Sequence, residues 1–176
     1  IDRENRIITD LLTLVKMDKK SADLQISHMD INQLLEDILK RLRPIADKRN
    51  IDLILDSFRP VEADVDELKF TSAISNLVEN AIKYNHTDGK VTVSAERKGK
   101  EVVLTIADTG NGIDETFRER IFEPFFRVDK SRSRKIGGVG LGLAMVREIV
   151  KVHDGEIEVH GNEQGGTTFE VRMGMG

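Results

Sequence analysis

The chain has 176 residues, with 27 Lys and Arg against 31 Asp and Glu, and therefore a formal net charge of −4. This acidic balance excludes a globally basic nucleic-acid-binding protein, and we expect no nucleic-acid partner. The absence of cysteine excludes a disulfide framework and cysteine-based metal or redox chemistry. No apolar run approaches the roughly 18 residues that a membrane span requires, so this piece is not expected to insert into a membrane.

The first predicted element is a helix over residues 1–19. Ile1, Ile8 and Val15 recur every seven residues, and Leu11 and Leu12 join them in one apolar stripe. That spacing is typical of a coiled-coil seam, but two repeats leave two interpretations open. The helix either packs on its own domain or forms half of a helical hairpin or dimer bundle. The stretch KKSADLQISHMD then breaks the pattern and predicts a linker with a short strand.

Two amphipathic helices follow, separated by the strand IDLILDS. The first is predicted over residues 31–50, with Asp30 as its N-cap and a kink or end at Pro44. Its expected apolar face is Ile31, Leu34, Leu35, Ile38, Leu39, Leu42 and Ile45. The second lies in DELKFTSAISNLVENAIKYN, with Asp66 near its start. Its expected apolar face is Leu68, Ala73, Ile74, Leu77, Val78, Ala81 and Ile82.

The rest of the chain predicts two β-hairpins on either side of a glycine-led helix. KVTVSAERKGKEVVLTIAD and GEIEVHGNEQGGTTFEVRM alternate as hairpins do, and the helix between them ends near Lys151. The element order is helix, strand, helix, hairpin, loop, helix, hairpin. This order predicts an α+β two-layer sandwich, in which about three helices cover one face of a mixed, mostly antiparallel sheet.

A glycine-rich loop precedes the last helix, in KIGGVGLGLAMVREIV. Its glycines are Gly137, Gly138, Gly140 and Gly142. Free backbone N–H groups and the positive end of a helix dipole make such a loop a phosphate site. The loop lacks the Gly-Lys-Ser/Thr of a P-loop and the G-x-G-x-x-G dinucleotide fingerprint. Close packing of the helix remains the alternative explanation for these glycines.

Two further stretches carry polar groups suited to a nucleotide. In IADTGNGI, Asp108 ends an alternating strand, where its carboxylate can accept the exocyclic N–H of adenine; an ordinary turn is the alternative. In NLVENAIKYN, the spacing of Asn76, Asn80 and Lys83 places them on one helical face. An amide oxygen suits Mg²⁺ and a lysine can meet a phosphate, whereas the alternative is a solvated polar face.

Together these stretches resemble the ATP-binding domain of sensor histidine kinases, within the superfamily that includes gyrase and MutL ATPases. NLVENAIKYN resembles the N box, DTGNG the first glycine box, IFEPFFRVD the F box, GGVGLGLAMV the second glycine box and GGTTF the last one. The first helix resembles the second helix of the family's dimerisation hairpin. The resemblance implies a hairpin remnant over 1–24, a linker over 25–29 and an ATP-binding domain over 30–176.

The resemblance also implies roles for individual residues. Asn80 is the implied Mg²⁺ ligand, Asp108 reads adenine with Thr167 as helper, and Asn76, Lys83 and Arg127 form the implied catalytic set at the phosphates. The implied ATP-binding residues are Asn76, Asn80, Lys83, Tyr84, Asp108, Gly110, Gly112, Ile113, Arg127, Gly138, Gly140, Leu141, Gly142, Leu143 and Thr167. Departures from the family pattern occur at Asn85, Val139 and Gln164.

By the same resemblance, residues 113–137 form a mobile ATP lid hinged at the glycine loop. The lid carries the densest basic cluster of the chain, namely Arg127, Lys130, Arg132, Arg134 and Lys135. Charge complementarity with phosphate is one explanation of this cluster, and a solvated loop is the other. Phe122, Phe125 and Phe126 of the F box are expected to anchor the lid, and a place in the core is the alternative.

Two positions bear on the type of reaction. Hydrolytic members of the superfamily carry a glutamate where this chain has Asn76, which cannot act as a base for water. No histidine precedes His28, so the acceptor motif of the family, the H box, is missing. The sequence therefore predicts the catalytic end of a kinase that phosphorylates a histidine outside this chain. The alternatives are a degenerate nucleotide-binding module and an ATPase or serine kinase of the same superfamily.

The remaining expectations concern the parent protein. The resemblance implies a homodimer that is anchored in the cell membrane, with this part in the cytoplasm. It also implies a response regulator as the downstream partner.

Overall fold

The computed structural model describes residues 24–57, 59–124, 126 and 142–174. The predicted helix over 1–19, the basic cluster and most of the glycine loop lie outside these residues. The described strands are β1 (Ile26–Asp30), β2 (Asp52–Leu55), β3 (Glu62–Asp66), β4 (Lys90–Lys98), β5 (Glu101–Asp108), β6 (Glu156–Gly161) and β7 (Thr167–Gly174). The described helices are α1 (Ile31–Asp47), α2 (Glu67–Lys83) and α3 (Gly142–Val152).

Five of the strands form one mixed sheet, in the order β2-β4-β5-β7-β6. β2 runs parallel to β4, and every other neighbouring pair is antiparallel. β1 and β3 form a separate two-stranded antiparallel ribbon. The predicted α+β class and the mostly antiparallel sheet are confirmed. β3 was not predicted, because a five-residue strand directly before a helix gives little periodic signal.

The core lies between the helices and one face of the sheet. Buried residues alternate along β4, β5 and β7, as expected for a sheet with one covered face. Most of the predicted helix faces are buried, but two of their members are not. Ile45 is 42% exposed and Leu68 is 81% exposed.

The two exposed residues follow from helix geometry. Leu68 precedes Ile74 by six positions, which at about 100° per residue places it well away from the buried face. Ile45 lies beside Pro44, and the adjacent Ala46 is buried instead. α1 continues past Pro44 for three residues, so the proline lies in its last turn rather than ending it.

Asp66 links three segments at the start of α2. Its carboxylate accepts hydrogen bonds from Gln25 N (2.9 Å) and Lys69 N (3.1 Å), and the second bond is the N-cap of α2. Its own N–H donates to Nε2 of His153, 3.0 Å away, just past the end of α3. Burial alone would raise the pKa of Asp66, but the Gln25 and Lys69 donors outweigh it and lower that pKa.

We expect Asp66→Ala to lower the free energy of unfolding by about 1–2 kcal/mol at neutral pH, the loss typical of an N-cap. A carboxyl with a lowered pKa stabilises the fold above its unfolded value of 3.8, and this stabilisation disappears as the pH falls through the folded value. The difference in the free energy of unfolding between wild type and Asp66→Ala should therefore decrease as the pH falls. Urea denaturation at pH 7 and pH 3 measures it.

Asp30→Ala is the matched control. Asp30 is the N-cap of α1 and accepts from Gln33 N, but unlike Asp66 it does not accept a hydrogen bond from Gln25 N. If Asp66→Ala lost the same free energy of unfolding at pH 7 and at pH 3, the ionised carboxylate of Asp66 would not contribute to stability.

Candidate nucleotide-binding site

The first wall of the site is the polar face of α2. Asn76, Asn80 and Lys83 occupy successive turns of this helix and are all partly exposed. Asn76 Nδ2 donates to Ser72 O at 2.8 Å, which fixes its amide against the helix. Lys83 Nζ lies 4.0 Å from Glu79 Oε2, so the predicted phosphate-binding lysine forms a weak ion pair within its own helix.

Arg49 holds the C-terminal end of this helix. Its guanidinium donates to the carbonyl oxygens of Lys83 (2.8 Å), Ile82 and Asn85. A cation bonded to the last carbonyl groups of a helix satisfies acceptors that have no intrahelical donor and complements the helix dipole. Sequence reasoning missed Arg49, because it follows α1 and is distant in sequence from the residues that it binds.

Asp108 ends β5 and forms the floor of the site. Its side chain is buried, and Oδ1 accepts hydrogen bonds from Gly110 N (2.9 Å) and Thr167 N (3.0 Å). No group among the described residues bonds to Oδ2, which leaves that oxygen available as an acceptor. Burial raises the pKa of Asp108, against the opposing effect of the two backbone donors and of His86.

The loop after Asp108 contacts the end of α2. A β-carbon at Gly110 would lie 2.6 Å from the carbonyl oxygen of Tyr84, so only glycine allows this approach. Asn85 is fully buried beside it; its Nδ2 donates to Lys90 O (2.9 Å) and its Oδ1 accepts from Thr109 Oγ1 (3.1 Å). The departure noted at Asn85 is therefore a buried link between the N box and the first glycine box.

Gly142 brings the start of α3 against α2. A β-carbon at this position would lie 3.0 Å from Asn76 Oδ1, which is closer than real side chains usually approach. Close helix packing, one of the two explanations for the glycine loop, accounts for this glycine. A phosphate role for the loop remains a prediction, since Gly138 and Gly140 lie outside the described residues, as do Leu141 and Arg127.

The turn between β6 and β7 completes the floor. A β-carbon at Gly166 would lie 2.0 Å from Asp108 O, and the side chain of Asn162 donates to the same oxygen at 2.9 Å. Thr167 follows and gives its N–H to the Asp108 carboxylate. GGTTF indicated the last glycine box, but neither Gly166 nor Asn162 was predicted as a site residue, because their contacts span more than fifty positions.

Comparisons with known proteins show the family of this chain. The family described as "Histidine kinase-, DNA gyrase B-, and HSP90-like ATPase" matches residues 65–175. The chain belongs to this family. It is 31% identical to the sensor-like histidine kinase SenX3 of Mycobacterium tuberculosis over 172 residues, which covers 98% of this chain and 42% of that protein. It is 35% identical to the sensor histidine kinase WalK of Bacillus subtilis, with 98% and 28% coverage.

A solved structure is similar over nearly the whole chain. Full-length ShkA in complex with AMPPNP superposes with a TM-score of 0.85 at 26% identity, covering 96% of this chain and 35% of that one. This chain thus spans less than half the length of these relatives. As a member of the family it has the expected fold and the catalytic ATPase module. In the described part of the chain, no helix has the length and apolarity needed to cross a membrane.

The start of the lid predicted for this family member is folded. Residues 115–117 and 120–122 form two 3₁₀ turns, and Ile121 and Phe122 are buried. The Phe122 ring packs edge-on against Phe169 of β7 at 6.3 Å and lies 5.7 Å from the Arg147 guanidinium of α3. Phe126 packs on Phe117 at 5.9 Å. Phe122 belongs to the core and Phe126 is partly buried against it, as the alternative interpretation of the F box expects. Anchoring of a lid stays a prediction, because Phe125 and residues 127–137 lie outside the described residues.

The remaining predicted contacts are at the edges of the site. Ile113 and Leu143 are partly buried against the core, and their predicted contacts with a nucleotide stay predictions. Gly112 has a φ of +76°, which turns the chain from the floor towards Ile113.

Proposed function

We propose that this chain is the ATP- and Mg²⁺-binding catalytic part of a sensor histidine kinase, which transfers the γ-phosphate of ATP to a histidine outside the chain. The observation that carries the proposal is the Asp108 carboxylate, buried and held through Oδ1, with Oδ2 left as an acceptor for the adenine amino group. The complex of the similar ShkA with AMPPNP supports a nucleotide ligand.

The polar face of α2 supports the phosphate end of the proposal. The Asn80 amide oxygen is a hard ligand of the kind that Mg²⁺ takes, alongside water and phosphate oxygens. When bound, the ion would neutralise phosphate charge. Asn76 would hold a phosphate oxygen through its amide, and Lys83 would exchange its weak pairing with Glu79 for a phosphate. Arg127 and the glycine loop are proposed to contribute from the lid.

Transfer to a histidine, rather than to water, is the reaction favoured by Asn76. An amide cannot act as the general base of hydrolysis, a role worth about 10²–10⁴ in rate. Phosphoryl transfer needs mainly positioning and charge neutralisation, which ATP bound between α2 and the loop after Asp108 would receive. For the parent protein we propose a membrane-anchored homodimer that passes the phosphate on to a response regulator.

The decisive test is transfer in trans. We expect this chain with γ-labelled ATP and Mg²⁺ to label a separate fragment that carries an H-box helix, and to leave itself unlabelled. The label on the fragment should be lost in acid and retained in base, as phosphohistidine is. Asn80→Ala should lose the Mg²⁺-dependent labelling, whereas Gln33→Ala, which removes an exposed amide from α1, should keep it.

Three results would contradict the proposal, each in its own way. Acid-stable label on the chain itself would indicate a serine kinase. Rapid release of phosphate without transfer would indicate an ATPase. If the chain bound ATP but neither transferred the label nor released phosphate, it would be a nucleotide-binding module that no longer transfers phosphate.

A further inference from the structure

The side chain of Asn162 uses its full hydrogen-bonding capacity in the turn between β6 and β7. Nδ2 donates to Asp108 O (2.9 Å) and to Thr168 Oγ1 (3.2 Å). Oδ1 accepts from Gln164 N and Gly166 N, each at 3.1 Å. An amide offers two donor hydrogens and two acceptor lone pairs, and all four are paired here. Such an amide has a single preferred orientation.

These bonds fix Asp108 from two directions. The Nδ2 bond holds its backbone carbonyl at the end of β5. The Oδ1 bond holds Gly166, and the next residue, Thr167, donates its N–H to the Asp108 carboxylate. One side chain therefore sets both the backbone position of Asp108 and one of the two donors that select its rotamer. Oδ2 is left in one defined place.

We propose that Asn162 is a positioning residue for recognition of the adenine base by Asp108. This inference rests on the proposed function. It adds that selectivity for adenine over guanine depends on a side chain that does not touch the nucleotide. The carboxylate of Asp108 can accept from the amino group of adenine and repels the carbonyl group of guanine. It discriminates between the two bases only while its position is fixed, because a mobile carboxylate could turn away from the guanine carbonyl.

The other explanation is that Asn162 only stabilises its turn. Asn162→Asp separates the two. Aspartate retains an acceptor for Gln164 N and Gly166 N but places an oxygen where Nδ2 donated to Asp108 O. The turn keeps its bonds and the link to Asp108 is lost. A cleft of about 400 Å³ borders Asn162 and Gly166, so water can solvate the released carbonyl without unfolding of the strand.

The experiment measures binding of MgATP and MgGTP to this chain by calorimetry. Wild type should prefer ATP. Asn162→Asp should weaken ATP binding about fivefold or more and GTP binding less, so that the ATP/GTP affinity ratio falls. Gln164→Glu is the matched control: it adds the same charge in an exposed residue of the same turn, of which only the backbone N–H is hydrogen-bonded among the described residues, and should leave the ratio unchanged.

The outcomes separate the two levels of inference. If wild type does not bind ATP, the proposed function fails and the role of Asn162 fails with it. If wild type prefers ATP and Asn162→Asp has the same ratio, only the positioning role is overturned. A melting temperature confirms that each variant is folded. Should Asn162→Asp not fold, Asn162→Ala, which removes the donor and the acceptor without adding charge, is measured in the same way, and an unchanged ATP/GTP ratio then overturns the positioning role.

Discussion

Replacing Asp108 with asparagine should lower the affinity for MgATP roughly ten- to hundredfold, the loss expected for a hydrogen bond of about 1.5–3 kcal/mol to a charged group. The side-chain oxygen can still accept from Gly110 N and Thr167 N, so the site should keep its shape. An NH₂ group then occupies the place of Oδ2. It repels the adenine amino group and can donate to the guanine carbonyl, so GTP should bind as well as ATP or better.

Asp114→Asn is the control for this experiment, because it removes one negative charge from the same loop. Asp114 is exposed, and its bonds to Thr116 N and Oγ1 can be kept by an asparagine oxygen. Calorimetric titration of both nucleotides against the three proteins measures the result. Wild-type affinity for ATP in Asp108→Asn would remove Asp108 from base recognition and would leave the floor of the site without a function.

Much of this architecture could be predicted because it depends on local patterns. The spacing of apolar residues located α1 and α2, and strict alternation located the hairpin of β4 and β5. The face shared by Asn76, Asn80 and Lys83 is a property of a single helix and needs no knowledge of its neighbours. The same holds for Asp108, which ends a strand that the sequence already defines.

What the sequence could not locate are contacts between distant segments. Arg49 bonds to carbonyl groups more than thirty positions away, and Asn162 reaches Asp108 across 54 positions. Asn85 was noted only as a departure from a family pattern, although it is fully buried and links β4 to the loop after β5. The chemistry of such residues is ordinary, and only the fold determines which partner they meet.

The described contacts hold α2 at both ends. Asp66 caps its start and joins it to Gln25 and, through its own N–H, to His153. Arg49 binds carbonyl groups at its end. The helix between these points carries the polar residues proposed to meet Mg²⁺ and phosphate. Rigid support of this kind keeps ligand atoms in place without requiring that the supporting residues contact the ligand.

Substitution of Gly166 by alanine should cause the largest loss of stability among these changes. The added β-carbon would lie 2.0 Å from Asp108 O and 2.8 Å from Asp108 Oδ1, so the turn or the end of β5 must move. We expect a decrease of about 3 kcal/mol in the free energy of unfolding, at the upper end for overpacking. ATP binding should also be lost, because the displaced atoms include the Asp108 carboxylate.

Two other glycines separate this steric effect from the effect of backbone conformation. Gly165 has a φ of +82°, but a β-carbon there would meet no atom within 4 Å, so Gly165→Ala should cost only the about 1–2 kcal/mol of a left-handed alanine. Gly174, at the end of β7, has neither constraint, and Gly174→Ala should change stability by less than about 0.5 kcal/mol. Urea denaturation of the three variants gives this order directly.

If Gly166→Ala matched Gly174→Ala in stability and bound ATP like wild type, the turn between β6 and β7 could move away from Asp108 without cost. The close approach of Gly166 to Asp108 would then contribute nothing to the site.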